Sequence, residues 1–234
     1  MLLTRHETKF EQAIADSEWN PDALLDWIDH PELAEAARLY YAARWLERGL
    51  TGLAQRQLEI VLGVEPSNSA ALFCREHPLS VEIDIMGLPV EVNVDRDGGA
   101  LLLAGIYLGQ QDWFRLDMVL PSIGDQRAKT VLAAVSAFEQ GLYDDVLHQT
   151  RRLSGKSCVA IDGLGLVLRA CAFRERGDVL AAERAMTDAY LAAWVHRDTA
   201  LYDLYEAELG RTLAVKHRLY GAGRDSDIED YDED

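Results

Sequence analysis

The sequence predicts an all-α protein, an α-solenoid of antiparallel helix hairpins that carries one inserted β-hairpin at about residues 79–95. Apolar residues recur every three or four positions along most of the chain, which is typical of amphipathic helices. Glycines recur with small residues at fixed distances on both sides, which indicates repeated helix pairs. Only one segment alternates apolar and polar residues at every second position, and that pattern is typical of strands.

The repeat is clearest around Gly177. Ala170 lies seven residues before this glycine and Phe173 lies four before it, while Ala182 follows at five residues and Ala189 at twelve. The other copies of this spacing are Ala42, Trp45, Ala54 and Val61 around Gly49; Ala134, Ala137, Val146 and Leu153 around Gly141; and a weaker copy, Ala104 and Trp113, around Gln111.

These spacings have a direct physical meaning. Small residues such as Ala170 and Ala182 let two antiparallel helices approach closely, and a glycine between the helices permits a tight turn. A single hairpin leaves one face uncovered, so such hairpins stack into a solenoid with a concave groove. An irregular helical bundle is the alternative, since alanines at helical spacing are common there too. We expect the solenoid because the small residues and the glycine recur together.

The alternating segment predicts a β-hairpin with one apolar and one acidic face. A lone hairpin is marginal in water, so its apolar face should lie on neighbouring helices. Gly87-Leu88-Pro89 interrupts the alternation and predicts the turn. We expect the acidic face to be solvated; a docking stripe for a basic partner is the alternative. The apolar positions are Val81, Ile83, Ile85, Val90, Val92 and Val94, and the acidic positions are Glu82, Asp84 and Glu91.

The chain is strongly acidic, with a formal net charge of −17 over 234 residues. The negative field repels nucleic-acid phosphates and anionic lipids, so we expect neither nucleic acid nor membrane as a partner. Residues 225–234 hold seven acidic side chains and no basic one, which predicts a helical domain over residues 1–220 and a disordered acidic tail over residues 221–234. Because no stretch is apolar enough to cross a bilayer and the start is too polar for a signal peptide, we expect a cytoplasmic protein.

The cysteine and histidine pattern indicates no metal and no cofactor. Cys74, Cys158 and Cys171 form no C-x-x-C pair, and the six histidines are scattered. A metal site needs several such ligands close together. We therefore expect reduced thiols in the core and neither a metal site nor a bound cofactor.

Two segments are similar to catalytic motifs but lack an essential residue. Ser154-Gly155-Lys156-Ser157 matches the end of a phosphate loop, yet Thr150 stands where the first glycine belongs, so an inter-repeat turn is expected. Asp97 follows a strand as in retroviral-type aspartic proteases, but Gly98 occupies the position of the supporting hydroxyl. We predict instead that Asp97 caps a helix beginning near Gly99. No enzymatic activity is expected.

A helix-hairpin array in which an early repeat gives way to a β-hairpin resembles tetratricopeptide-repeat proteins. In particular it resembles the amino-terminal domain of EccA, the AAA+ ATPase associated with type VII (ESX) secretion. The resemblance covers about residues 70–190: the hairpin from Leu79 to Leu88, the helix pair at residues 131–153, and residues 163–189. It implies a cytosolic module that recognises secreted substrates or regulates a motor. The family continues into an ATPase domain that this sequence does not contain, so ATP-driven work is expected from a separate chain.

The resemblance also implies a binding groove, because the first helix of each tetratricopeptide unit lines the concave surface. An apolar strip edged by charge suits a helical or extended peptide. The alternative is that the same side chains are buried between repeats. The residues placed on this groove are Leu39, Ala43, Leu46, Val131, Val135, Phe138, Val167, Cys171 and Arg174.

Two functional hypotheses follow. The first is a non-catalytic protein-binding module, an adaptor or chaperone for type VII secretion substrates or machinery, which holds a helical or extended peptide in its groove. The alternative is an acidic regulatory or decoy protein that occupies a basic site on a partner protein.

Overall fold

The computed structural model describes residues 3–154, 160–197 and 199–220. Within these ranges the chain is mostly helical and contains one two-stranded antiparallel sheet, so the predicted all-α class with an inserted hairpin is confirmed at this level. The chain divides into two compact units, Met1–Gln126 and Arg127–Asp234. The predicted acidic tail, residues 221–234, lies outside the described residues.

The first unit contains six helices, two 3₁₀ segments and the sheet among its described residues. Its core includes an aromatic cluster in which the rings of Phe10 and Phe73 lie 4.8 Å apart and the Tyr40 ring meets Phe73 edge-on. The elements are α1 (Leu3–Ser17), a 3₁₀ segment (Pro21–Trp27), α2 (Ala34–Glu47), α3 (Thr51–Leu62), α4 (Asn68–Glu76), β1 (Ser80–Ile85), β2 (Leu88–Asn93), α5 (Arg96–Gly109), α6 (Trp113–Val119) and a 3₁₀ segment (Leu120–Ser122).

The described residues of the second unit form helices. In it, α9 packs against α8, α10 and α11. The elements are α7 (Gln126–Glu139, whose first residue belongs to the first unit), α8 (Tyr143–Thr150), α9 (Ala160–Glu175), α10 (Val179–His196) and α11 (Thr199–Tyr220).

The four repeat centres are the turns between paired helices. Gly49, Gln111, Gly141 and Gly177 all adopt left-handed backbone, with φ of 74°, 57°, 73° and 83°. Each turn closes with the backbone hydrogen bond of a Schellman motif, which satisfies a carbonyl at the end of the first helix. These bonds run from Leu50 N to Trp45 O (2.9 Å), Asp112 N to Tyr107 O (3.0 Å), Leu142 N to Ala137 O (2.8 Å) and Asp178 N to Phe173 O (2.9 Å).

The residues predicted at the helix crossings are fully buried. Ala170 and Ala182, seven residues before and five after Gly177, have no exposed surface. The equivalent pairs around the other three turns are also fully buried: Ala42 with Ala54, Ala104 with Leu116, and Ala134 with Val146. The spacing in the sequence therefore places small or apolar side chains at equivalent positions of four helix hairpins.

Gly141→Ala is expected to lower the free energy of unfolding by about 1 kcal/mol, because an L side chain is strained in left-handed backbone. Gln111→Gly should have the opposite sign, since Gln111 already carries that strain at φ 57°. Urea unfolding measures both effects. Gly52→Ala is the control, because Gly52 lies within α3 and a Cβ there meets no atom within 4 Å. An equal loss of stability in the Gly52 and Gly141 variants would contradict left-handed backbone at Gly141 as the cause.

The β-hairpin is present, but its turn differs from the prediction. Val81 pairs with Val92 and Ile85 with Leu88, so the turn is Met86-Gly87, with φ of 56° and 84°. These two positive φ values are typical of the two-residue turns that match strand twist. Gly87-Leu88-Pro89 was expected as the turn, but Leu88 and Pro89 belong to β2, where Pro89 is exposed and pairs with Asp84. The strand alternation does not by itself locate the turn residues.

The apolar face of the hairpin packs on helices as predicted, since β1 contacts both α2 and α5. Of its six predicted positions, Val81, Ile85, Val92 and Val94 are buried, while Ile83 and Val90 are half-buried. Leu88, which was predicted in the turn, is buried as well. Glu82, Asp84 and Glu91 on the other face are exposed. Asp84 accepts a hydrogen bond from the Gly87 amide (2.9 Å) and Glu91 accepts one from the Ser80 hydroxyl (2.6 Å).

The cap of α5 is Asp95, so the prediction that Asp97 caps a helix beginning near Gly99 is wrong. The Asp95 carboxylate accepts a hydrogen bond from the Gly98 amide (2.7 Å), and the helix starts at Arg96. Asp97 lies in the first turn, where its carboxylate lies close to Gly124. Two aspartates two residues apart cannot be ranked as caps without the backbone angles of each.

The described residues contain no helix that is both long and apolar enough to span a membrane.

Candidate functional site

The structure buries most of the residues predicted to line a groove on the first helices. Leu39 and Ala43 of α2, Val131 and Val135 of α7, and Val167 of α9 are all buried. A buried side chain cannot contact a partner in this conformation, so these five contribute to the cores of the units. This outcome agrees with the alternative that the sequence left open.

Three further groove residues contact other parts of the second unit or remain partly exposed. Leu46 and Phe138 are half-buried, and the Phe138 ring lies 5.7 Å from that of Tyr143. The Arg174 side chain is 9% exposed and its guanidinium pairs with Glu208 of α11 at 2.5 Å. Cys171, also placed on the groove, is buried and its thiol donates a hydrogen bond to Glu208 (3.2 Å).

Large exposed apolar side chains occur on the second helices of the hairpins instead. Phe114 and Met118 of α6 are 75% and 68% exposed. They are four residues apart on one face of the helix, while Leu116 and Val119 on the other face are buried. The remaining exposed apolar residues of second helices are Leu53 and Ile60 of α3, and Leu180, Tyr190, Leu191, Trp194 and Val195 of α10.

The α3–α6 surface is the part of the first unit where exposed apolar groups meet a concavity. We define it as Phe114 and Met118 together with the residues around a cavity of about 300 Å³. Met118 belongs to both sets, which places the exposed face of α6 at the cavity mouth. The lining residues are Glu59, Leu62, Leu103, Tyr107, Arg115, Met118, Val119 and Ser122.

A network of polar groups holds one side of this surface in place. The Tyr107 hydroxyl donates a hydrogen bond to Glu59 (2.7 Å), and the Gln55 amide donates another to the same oxygen (2.8 Å). The Arg115 guanidinium lies 3.9 Å from Glu59 and 5.9 Å from the centre of the Tyr107 ring. These contacts join α3, α5 and α6 and leave Arg115 about half exposed.

The network has a defined charge at neutral pH. Hydrogen bonds from Gln55 and Tyr107 lower the pKa of Glu59, despite a smaller opposing effect of burial. Burial and the neighbouring Glu59 raise the pKa of Tyr107 to about 12. Glu59 is therefore a carboxylate and Tyr107 a neutral phenol, so the apolar surface is bordered by one negative and one positive group.

A larger cavity of about 490 Å³ lies among α2, α4, α5 and the ends of the hairpin. Two of its three carboxylates have partners: Asp95 caps α5, and Glu35 pairs with Arg96 (3.2 Å) and accepts a hydrogen bond from the Ser67 amide (2.8 Å). Burial raises the pKa of the Cys74 thiol on its wall to about 12, so this thiol stays protonated. The contacts of Glu35 and Asp95 stabilise the fold around this cavity.

The remaining predicted positions are only partly described. Cys74 and Cys171 are buried free thiols, and burial with the nearby Glu208 raises the pKa of Cys171 to about 12. Cys158 and the Gly155-Lys156-Ser157 part of the phosphate-loop-like segment lie outside the described residues.

Sequence reasoning missed the α3–α6 surface although a signal for it was present. Helix α6 is short and carries apolar residues on both faces, and a helix at the surface buries only one of its faces against its own core. The arrangement offers an apolar contact area with a charged border, which suits binding of a polypeptide.

Comparison with protein-family models, curated proteins and solved structures finds no match to this chain.

Proposed function

We propose that this chain is a non-catalytic protein-binding module that holds a helical or extended segment of another protein on the α3–α6 surface. The observation that carries the proposal is the exposure of Phe114 and Met118, four residues apart beside a cavity. Exposed aromatic and methionine side chains rimmed by polar groups are typical of protein interfaces. Aromatic residues of this kind often supply most of the binding energy.

The shape of the surface favours a partner that inserts one or two apolar side chains. A cavity of about 300 Å³ is small for an organic cofactor and large enough for a leucine or phenylalanine side chain. Glu59 and Arg115 border it, so a partner with polar residues beside its apolar anchor can form hydrogen bonds there. An amphipathic helix or an extended strand presents such an alternation.

We also propose that the helix hairpins form a tetratricopeptide-like solenoid within each unit. The four equivalent turns with left-handed residues and the buried pairs at their crossings support it. So does the packing of α3, the second helix of one hairpin, against α5, the first helix of the next. Hairpins repeated in this way present exposed faces for a partner chain.

The partner class that we propose is a component of type VII secretion, either an exported substrate or part of the machinery, bound in the cytoplasm. The support is the resemblance of residues 70–190 to the amino-terminal domain of EccA, which includes the hairpin. The chain would act as an adaptor or chaperone, with any ATPase supplied by a separate chain.

Phe114→Glu is expected to weaken binding of a type VII substrate by about tenfold or more, because it places a charge on the exposed apolar face of α6. Isothermal titration calorimetry against purified type VII substrates and machinery components measures the effect. Met118→Glu should act in the same direction.

Trp19→Glu is the matched control, since Trp19 is also an exposed aromatic of the first unit, 88% exposed, but lies outside this surface. Equal affinities of the Phe114 and Trp19 variants for the same type VII component would refute the α3–α6 surface as the binding site. Binding to none of the type VII components would refute the partner class. Binding that is lost at high salt but insensitive to Phe114→Glu would favour the acidic regulatory or decoy function instead.

A further inference from the structure

The second unit contains a cavity of about 360 Å³ whose polar lining is predominantly basic. Three guanidinium groups, those of Arg151, Arg169 and Arg184, line it together with one carboxylate, Asp188. The chain has a net charge of −17, whereas the charge around this cavity is positive because three arginines line it with one aspartate. The full lining is Leu147, Arg151, Arg169, Phe173, Ala181, Arg184, Ala185 and Asp188, from α8, α9, α10 and the residue that follows α8.

These arginines differ from others in the same unit. Arg174 and Arg211 both pair with Glu208, and Arg176 pairs with Asp144 at 2.7 Å. Among the described residues, by contrast, Arg151 and Arg184 form no ion pair, and both are exposed. The cavity therefore has uncompensated positive charge.

Arg169 is anchored on the cavity wall by neutral groups. Its guanidinium donates hydrogen bonds to the Thr150 hydroxyl (3.3 Å) and to the Leu153 carbonyl (3.1 Å). Burial lowers the pKa of Arg169, and the charge of Asp188 only partly opposes this. A half-buried arginine held by neutral acceptors still lacks a full countercharge, and an added carboxylate would supply it.

We propose that this arginine cavity binds the acidic segment of the same chain, residues 225–234. That segment carries seven carboxylates and no basic residue, so its charge is complementary to the three arginines. It also contains Ile228 and Tyr231, which can pack on the apolar part of the cavity formed by Leu147 and Phe173. A guanidinium binds a carboxylate through paired hydrogen bonds, which favours an acidic peptide over a neutral one.

The C-terminal part of α11 lies beside the start of α10, which lines the cavity. Lys216, four residues before the end of α11, pairs with Glu183 near the start of α10 at 2.8 Å. Ala181 and Arg184, on either side of Glu183 in the sequence, line the cavity. Helix α11 ends at Tyr220, and an extended chain covers roughly 3.4 Å per residue. The five residues that follow Tyr220, as far as Asp225, the first carboxylate of the segment, can therefore span up to about 17 Å.

The consequence is competition. Because the segment is tethered, its effective concentration at the cavity is on the order of millimolar. A separate acidic peptide then binds the intact chain only weakly until the segment is displaced. The arginine cavity of the second unit and the α3–α6 surface of the first unit share no residue. Either proposal can therefore fail without the other.

The test measures fluorescence anisotropy of a fluorescein-labelled synthetic peptide with the sequence of residues 225–234, in a buffer of physiological ionic strength. The intact chain is compared with a full-length variant in which every Asp of residues 225–234 is changed to Asn and every Glu to Gln. We expect the variant to bind the labelled peptide about tenfold more tightly, since its own segment no longer competes. Equal affinity for both chains, or no binding to the neutralised variant, would overturn the proposal.

Two controls separate the cavity from the overall charge. A full-length chain in which seven exposed carboxylates of the first unit are neutralised has the same net charge as the segment variant and should bind the peptide no better than the intact chain. Tighter binding by this control would refute the tethered segment as the occupant. The carboxylates to neutralise are Asp26, Glu32, Glu65, Glu76, Glu82, Glu91 and Asp117.

The second control places the peptide at the cavity. In the segment-neutralised chain, Arg184→Glu or Arg151→Glu should weaken peptide binding by about tenfold or more, whereas Arg56→Glu, an exposed arginine of the first unit, should have little effect. All three residues are exposed, so the fold should be retained, and far-UV circular dichroism checks this. Equal losses in the three variants would show that the peptide binds through general charge, against the proposal.

Discussion

Gly98→Ala is expected to lower the free energy of unfolding by about 3 kcal/mol, the upper part of the usual range for overpacking. A Cβ at Gly98 would lie 1.7 Å from the backbone oxygen of Asn93, and it would also meet the Val92 side chain at 3.1 Å. The obstacle is backbone, which cannot rotate away as a side chain can. Either the start of α5 or the end of β2 must move, and the Asp95 cap lies between them. Urea unfolding followed by far-UV circular dichroism measures the loss.

Gly109→Ala is the matched control for this prediction. Gly109 lies at the other end of α5, and a Cβ there meets no atom within 4 Å. Alanine also favours the helix by up to about 1 kcal/mol over glycine, so this variant should be neutral or slightly stabilised. Similar losses in the two variants would show that the close approach of α5 to the hairpin is not the cause.

Glu208→Gln is expected to destabilise the protein by about 3 kcal/mol at neutral pH, the lower end of the range for breaking a buried ion pair. The Arg174 and Glu208 side chains are each 9% exposed, and Arg174 would lose the negative charge of its carboxylate partner. Glu208 also accepts a hydrogen bond from the Cys171 thiol (3.2 Å) and forms an ion pair with Arg211. One residue thus joins α9 to α11, and urea unfolding at pH 7 measures its contribution.

The pH dependence of the same variant provides a second test. Burial raises the pKa of Glu208, but hydrogen bonds from Arg174 and Cys171, with the charges of Arg174 and Arg211, outweigh burial and lower it below the usual value. A lowered folded-state pKa gives stability that is fully present above the unfolded-state pKa, about 4.3 for glutamate. That stability is lost as the pH falls through the folded-state value. The difference between wild type and Glu208→Gln should therefore shrink below about pH 4.3.

Glu206→Gln is the control for the electrostatic prediction. Glu206 is an exposed carboxylate on the same helix, where the loss of charge should change stability by less than about 0.5 kcal/mol. A Glu208 variant that remains equally destabilised at all pH values would show that shape, and not charge, is responsible for its effect.

The helix hairpins were predictable because their signals are local. A glycine flanked by small residues at fixed distances determines where two helices turn and which side chains lie at their crossing, as Gly141 and Gly177 show. Gln111 was found by the same spacing despite the absence of glycine, since the turn needs left-handed backbone and a glutamine can adopt it at some cost. The hairpin faces were predictable for the same reason, because strand alternation is local.

The details that depend on backbone angles were not predictable. Asp95 and Asp97 are both acceptable caps by residue type, and only the extended backbone of Asp95, with φ −135° and ψ −172°, identifies it as the cap. The position of the turn at Met86-Gly87 could not be predicted from the sequence either. It requires a non-glycine residue with positive φ, which the alternation of the strands does not indicate.

The sequence established the helical class, the positions of four turns, the inserted hairpin and the acidic character of the chain, because each depends on neighbouring residues or on composition. Tertiary structure alone decided which helix faces are exposed. Val131 and Phe114 are both apolar residues on helices, yet one is buried and the other is 75% exposed. The difference depends on what packs against each face, and those contacts join residues far apart in the chain, so no local spacing records them.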